Sequence, residues 1–272
     1  MSTATSTGTG TSTGTAARTT TSAGRLGALA RAEFTLLGRS KGVLFTAVFV
    51  PLILPFSVSR TVDKGDLQGA GLNIGTVMAS SAIAFSLLFA VYSSLVSVYA
   101  SRREELVLKR LRTGELRDLE ILSGAAVPSV VIGLVQCAAV AVVCAFALDA
   151  GAPDAPQLVL LGVLLGIPLC VALAALTTVF SRSVESAQVA AMPMLLVSMA
   201  GSGAVVPLEV LPDKMAAVCE LLPLTSALTL VRGGWSGSLS GGESVKAIVI
   251  AVAWILVAVF AVQKRFRWEP RR

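Results

Sequence analysis

The chain is 272 residues long, and 54% of its residues are hydrophobic while only 14% are charged. Soluble domains usually carry about 25% charged residues, so this composition excludes an ordinary soluble protein. Histidine is absent, which also excludes histidine general-base catalysis and imidazole metal sites.

Apolar windows without Asp, Glu, Lys or Arg recur along the chain. A helix needs ~20 apolar residues to cross ~30 Å of hydrocarbon. Lipid offers no hydrogen-bond partners, so each window must satisfy its own backbone as a helix. The sequence therefore predicts an all-α membrane protein with six transmembrane helices, at about residues 42–59, 74–101, 121–148, 157–181, 186–208 and 247–263.

Two segments precede the first span. Residues 1–24 consist almost entirely of Thr, Ser, Gly and Ala, a composition that predicts a disordered tail. Residues 25–41 place Leu26, Leu29 and Phe34 at helical spacing among basic residues. This pattern favours an amphipathic helix in the membrane interface, with a cytosolic extension of the first span as the alternative.

Lys and Arg are unevenly distributed between the two sides of the membrane. Most of the 22 basic residues fall in the N-terminal segments, the loop after the second span and the C-terminus. Only five fall on the other side: Arg60, Lys64, Lys214, Arg232 and Lys246. The positive-inside rule therefore predicts a multi-pass plasma-membrane protein with both termini, including the basic tail 265–272, in the cytoplasm. Because this topology explains the net charge of +6, no nucleic-acid partner is expected.

Small and polar residues inside the predicted spans leave two questions open. Gly162 and Gly166 form a GxxxG motif that serves packing within one chain or dimerisation. Gln136 and Gln188 either line a substrate path or form interhelical hydrogen bonds. No span contains a charged residue, which favours an energy source outside the membrane over ion coupling.

The loop before the last span contains LLPLTSALTLV at residues 221–231. Eleven apolar residues are too few to span a membrane, so we predict a short re-entrant or interfacial segment that caps the outer mouth. Its first residues are Leu221, Leu222, Pro223 and Leu224. Pro223 is expected to kink it or begin its second half, and Glu220 and Arg232 to lie in water at its ends. The alternative is a segment packed on the outer surface.

The loop between the second and third spans concentrates charge, reading SRREELVLKRLRTGELRDLEILSG over residues 101–124. Helix-forming residues on both sides of Thr113-Gly114 predict a helix, a tight turn and a second helix. Such a hairpin is either a docking element for a soluble partner or a solvated connector. The candidate docking residues are Arg103, Glu104, Glu105, Leu108, Lys109, Arg110, Leu111, Arg112 and Glu115.

This loop resembles that of type-2 ABC transporter permeases, the membrane subunits of drug, lipid or polysaccharide exporters. Those permeases show an E-x-G-T-L-x-R-L-R run and then E-I-L-x-G before the third span. Leu106, Val107 and Glu115 replace the usual Gly, Thr and Pro. The matching residues are Glu104, Leu108, Arg110, Leu111, Arg112, Leu116, Glu120, Ile121, Leu122 and Gly124. Residues 206–212 and 221–228 are similar to the family's outer segment, and the resemblance covers about residues 25–264.

The resemblance implies that the central loop couples to a cytosolic ABC ATPase subunit. Two permeases, identical or different, and two such ATPases would form an exporter surrounded by membrane lipids. This chain carries no Walker A sequence, so it is expected to be non-catalytic, with no metal or cofactor of its own and with ATP on the partner. Cargo would be apolar or amphipathic, such as an antibiotic, a drug or a lipid.

Two other functions compete with a permease. A membrane scaffold or regulator would use residues 102–120 to dock a non-ATPase partner. An intramembrane enzyme is disfavoured because the spans lack histidine, carboxylates and a nucleophile with an adjacent base.

Overall fold

The computed structural model describes residue 53 and residues 74–105, 118–147, 151–204 and 212–265. All regular secondary structure in these ranges is helical, which confirms the all-α fold class. The predicted tail, the interfacial helix and, apart from Ile53, the first span lie outside the described residues.

The second to sixth predicted spans each correspond to a helix that is long and apolar enough to cross a membrane. The second span is continuous through α1 (Ile74–Phe85), a π-helix (Ser86–Ser93) and α2 (Ser94–Glu104). The next three spans are α3 (Asp118–Ala147), α4 (Pro156–Val179) and α5 (Val184–Gly201). Two shorter helices follow, α6 (Asp213–Glu220) and α7 (Pro223–Ser236), before the sixth span α8 (Gly241–Arg265).

Local sequence explains where several of these helices begin and end. Pro156 and Pro223 stand in the first turns of α4 and α7, where a missing N–H costs nothing. Ser183 caps α5 by accepting from the Ser186 N–H, while Ser186 accepts from the Ser183 N–H. Gly237 ends α7 with φ of 66°, a left-handed conformation that favours glycine.

The second and fourth spans form the centre of the helix bundle. In their most apolar stretches 72% and 61% of the residues are buried, against 33%, 28% and 22% in the third, fifth and sixth spans. The third, fifth and sixth spans lie at the periphery and expose large apolar side chains such as Val135, Val189 and Leu256. This distribution suits a bundle surrounded by hydrocarbon, because exposed apolar surface has no cost there.

Close packing of α7 against α4 depends on glycine. A Cβ atom added to Gly162 would lie 2.7 Å from the Ala227 carbonyl oxygen, and one added to Gly234 would lie 2.8 Å from the Val159 nitrogen. The Ala155 N–H also donates to the Gly234 carbonyl at 2.8 Å. Gly166 faces Leu87 of the second span. The GxxxG motif therefore serves packing within the chain.

We predict that Gly162→Ala destabilises the protein by about 1–3 kcal/mol, because the added methyl group meets backbone rather than a movable side chain. Gly242→Ala is the matched control, since a Cβ atom there meets nothing within 4 Å and alanine favours a helix. Thermal unfolding in detergent should show a lower midpoint for Gly162→Ala alone. Equal midpoints would contradict the close α4–α7 contact.

Candidate functional site

One end of the bundle brings together the beginning of the charged loop and the turn between the fourth and fifth spans. Here α2 and α4 end, and α3 and α5 begin. We call it the Arg103 end, after the side chain at its centre. Arg103, Glu104 and Glu105 of the candidate docking set are described there, whereas the six candidates from Leu108 to Glu115 lie outside the described residues and stay predictions.

Arg103 points into the bundle, with only 2% of its surface exposed. Its guanidinium donates to the Thr178 carbonyl at 2.6 Å, and to the carbonyl and the hydroxyl of Ser181, each at 2.9 Å. The last carbonyls of a helix have no partner within it and carry partial negative charge. Arg103 therefore provides a hydrogen-bond donor for carbonyl groups at the end of α4. Its side chain is not on an outward docking surface.

Glu104 reaches the beginning of α5. Its Oε1 atom accepts a hydrogen bond from the Val184 N–H at 2.9 Å, and a carboxylate is favourable at a helix N-terminus. Glu104 is itself exposed. Glu105 is also exposed and forms an ion pair with Arg102 at 3.4 Å, three residues back in the chain. Adjacent side chains thus reach different elements: Arg103 the fourth span and Glu104 the fifth.

A series of interhelical hydrogen bonds leads from this end into the second span. The Tyr92 hydroxyl pairs with the Thr177 hydroxyl of α4 at 2.9 Å. Ser94 pairs with Ser129 of α3 at 3.0 Å, and Tyr99 donates to the Leu122 carbonyl at 3.0 Å. Gln188 of α5 donates to Ser97. The second span is therefore bonded to the third, fourth and fifth spans.

Sequence reasoning did not find these bonds, although a signal was present. Both tyrosines of the chain lie in the second span, seven residues apart. Gln188 forms an interhelical hydrogen bond, one of the two roles expected for it, and Gln136 is buried at 6% exposure. The hydroxyl partners stand on other helices, so only the fold identifies them.

The loop before the sixth span contains a bent helix pair, α6 and α7. Helices α6 and α7 meet at 98°, and α7 begins at Pro223, which agrees with one of the two roles expected for that proline. Leu221 is exposed and its carbonyl accepts from the Trp254 indole at 2.9 Å, whereas Leu224 is buried. Every α7 residue from Pro223 to Trp235 except Thr229 is buried. Helix α7 is thus buried among the described helices, while its location on the outer side and its re-entrant course stay predictions.

The two charged residues at the ends of this segment differ. Glu220 is partly exposed and pairs with Lys246 at 2.7 Å, in keeping with the expectation of a solvated position. Arg232 is only 8% exposed, and its guanidinium donates to the Gly203 carbonyl at 2.6 Å. The expectation of a solvated Arg232 is wrong because α7 continues to Ser236, which places Arg232 within the buried helix.

An apolar groove of about 420 Å³ lies between the second, third, fourth and sixth spans near the Arg103 end. Its walls include Leu122, Val130, Ile167, Ile255 and Val262. None of the described residues that line it carries a charged side chain. Such a surface is complementary to hydrocarbon rather than to ions.

We predict that Tyr92 and Thr177 are energetically coupled. A double-mutant cycle on the free energy of unfolding in detergent, with Tyr92→Phe and Thr177→Ala, should give a coupling free energy of about 0.6 kcal/mol. This is the usual size for a hydrogen bond between membrane helices. Tyr99→Phe with Thr177→Ala is the control cycle and should be additive, because Tyr99 bonds to Leu122 instead. Equal coupling in both cycles would contradict the observed pairing.

Comparison with known proteins identifies the family of the chain. The family model for the ABC-2 type transporter matches residues 24–235, which is well over half of the chain. Comparison with curated proteins finds no match. The match includes the charged loop, the Arg103 end, α6 and all of α7 except its last residue. The chain therefore belongs to the ABC-2 type transporter family and is a multi-pass membrane permease component of an ABC transporter.

Proposed function

We propose that this permease exports an apolar or amphipathic substrate across the plasma membrane, driven by ATP hydrolysis on a separate ABC ATPase subunit. The family match over residues 24–235 carries the proposal, because it includes the charged loop at which such a partner would dock. A second permease, identical or different, completes the exporter.

Docking is assigned to residues 104–115 of the charged loop, because the Arg103 side chain is buried in the bundle. Glu104 and Glu105 are exposed where the loop leaves α2, and the following residues include Lys109, Arg110 and Arg112. The loop that carries this charge joins α2 to α3 at the Arg103 end, and the positive-inside rule favours a cytoplasmic location for it. A cytosolic ATPase would meet the protein on that side.

The nature of the cargo is inferred from two features of the membrane domain: predicted spans without charged residues and an apolar groove. The predicted spans contain no Lys, Arg, Asp or Glu, although charged residues are usual where ions or protons cross. The apolar groove beside Leu122 and Ile255 likewise presents hydrocarbon to a ligand or a lipid chain. Drugs, antibiotics and lipids of matching character fit this chemistry, and no catalytic role is assigned to the chain itself.

We predict that Leu111→Asp combined with Arg112→Glu abolishes capture of the ATPase while leaving membrane insertion intact. The substitutions place acid where the loop offers an apolar and a basic side chain to its partner. Affinity purification of the full chain from native membranes, followed by mass spectrometry, measures the loss of a partner carrying a Walker A motif.

Lys214→Glu with Val218→Asp is the matched control. It makes the same change in charge on exposed residues of α6, away from the Arg103 end, and should retain the ATPase. Unchanged ATPase capture by the loop variant would overturn the docking assignment. A stoichiometric partner without ATPase motifs, lost in the loop variant, would favour the scaffold function instead.

A further inference from the structure

The charged loop is joined covalently to the second and third spans, and the last two residues of α2 before it, Arg103 and Glu104, bind the fourth and fifth spans. Arg103 bonds to the final turn of the fourth span through Thr178 and Ser181. Glu104 bonds to the first N–H of the fifth span. A displacement of the loop would therefore act on four spans rather than two.

We propose that Arg103 and Glu104 are positioning residues that transmit movement of the charged loop to the fourth and fifth spans. The second, fourth and fifth spans then move as one body at the Arg103 end when the partner binds and hydrolyses ATP. This inference rests on the proposed function, since it requires the ATPase to act on the loop.

The two contacts differ in strength. Arg103 is buried and makes three charge-assisted hydrogen bonds from a planar, rigid group. Glu104 makes its bond at an exposed position, where water competes for both groups. Arg103 is therefore the principal connection, and Glu104 adds a second one specific to the fifth span.

The turn between α4 and α5 is suited to receive a displacement. It extends only from Phe180 to Ser183 and is held at its end by the reciprocal bonds of Ser183 and Ser186. Ser181 also donates to the Thr178 carbonyl at 2.9 Å. A short turn with this many internal bonds moves as a unit rather than absorbing the motion.

Hydrogen–deuterium exchange on the permease–ATPase complex in nanodiscs tests the inference. Exchange is compared with and without a non-hydrolysable ATP analogue, in the peptides covering residues 106–117 and 178–187. In the wild type we expect the ATPase to protect the loop, and the nucleotide to change exchange in the turn. In Arg103→Gln the loop should stay protected while the nucleotide response of residues 178–187 is lost.

Arg102→Gln is the matched control, because it removes one neighbouring cation that pairs locally with Glu105. It should keep the nucleotide response of the turn. Glu104→Ala provides a milder test that leaves the buried Arg103 in place. It should reduce the response from Val184 onward while sparing Thr178 to Ser181.

The outcomes separate the inference from the function on which it rests. A protected loop with a wild-type nucleotide response in both Arg103→Gln and Glu104→Ala would overturn the inference and leave the docking function standing. A wild-type loop that the ATPase does not protect would overturn the proposed function and the inference with it. Equal loss of response in Arg102→Gln and Arg103→Gln would also overturn the specific role of Arg103.

Discussion

The arrangement depends on one constraint: a polar group in hydrocarbon must find its partner within the protein. The second span meets this requirement by bonding outward to its neighbours. Its hydrogen bonds reach the fourth span from Tyr92 and the fifth span from Ser97. They reach the third span from Ser94 and Tyr99. Hydrophobic burial cannot position helices in lipid, because lipid is as apolar as leucine. These hydrogen bonds therefore supply the specificity with which the spans are arranged around the second.

The two ends of α4 are held by different means. Near its beginning, Gly162 and Gly234 let α7 approach α4 until backbone meets backbone. At the Arg103 end, long polar side chains bridge between helices. Helices in close backbone contact have little freedom to shift relative to each other. Helices joined by a side-chain bridge are connected while each keeps its own orientation. The end of α4 that is expected to face an ATPase is thus joined to the second span through a side chain.

The sequence predicted the apolar helices, and it allowed a helical start at Pro223 as one of two roles for that proline, because apolar runs and proline act locally. It placed Arg103 in the charged loop, as a candidate docking residue, because the apolar window ends near residue 101, whereas α2 continues to Glu104. One further helical turn brings Arg103 against α4. Similarly, α7 extends beyond the apolar run ending at residue 231 and takes Arg232 into the bundle. Charge at the edge of an apolar window is thus a poor guide to the helix boundary.

Other features had no local signal. The GxxxG motif marks a face for close approach, but the approaching helix α7 is identified only by the fold. The π-helix from Ser86 to Ser93 has an apolar composition like that of the flanking α-helices. The family match and the resemblance of the charged loop agree, since both depend on motifs that are contiguous in sequence.

Cross-linking of Ser97→Cys to Gln188→Cys with a short bis-methanethiosulfonate reagent in the permease–ATPase complex tests most directly whether the second and fifth spans move together. The Gln188 amide donates to Ser97, so a reagent that replaces the length lost from the glutamine side chain should bridge the two thiols. ATP turnover by the complex should be the same before and after cross-linking. Ser97→Cys with Val189→Cys, whose native valine is 70% exposed, should not cross-link. Turnover that falls on cross-linking and returns on reduction would show that the two spans slide past each other, which would contradict the one-body movement.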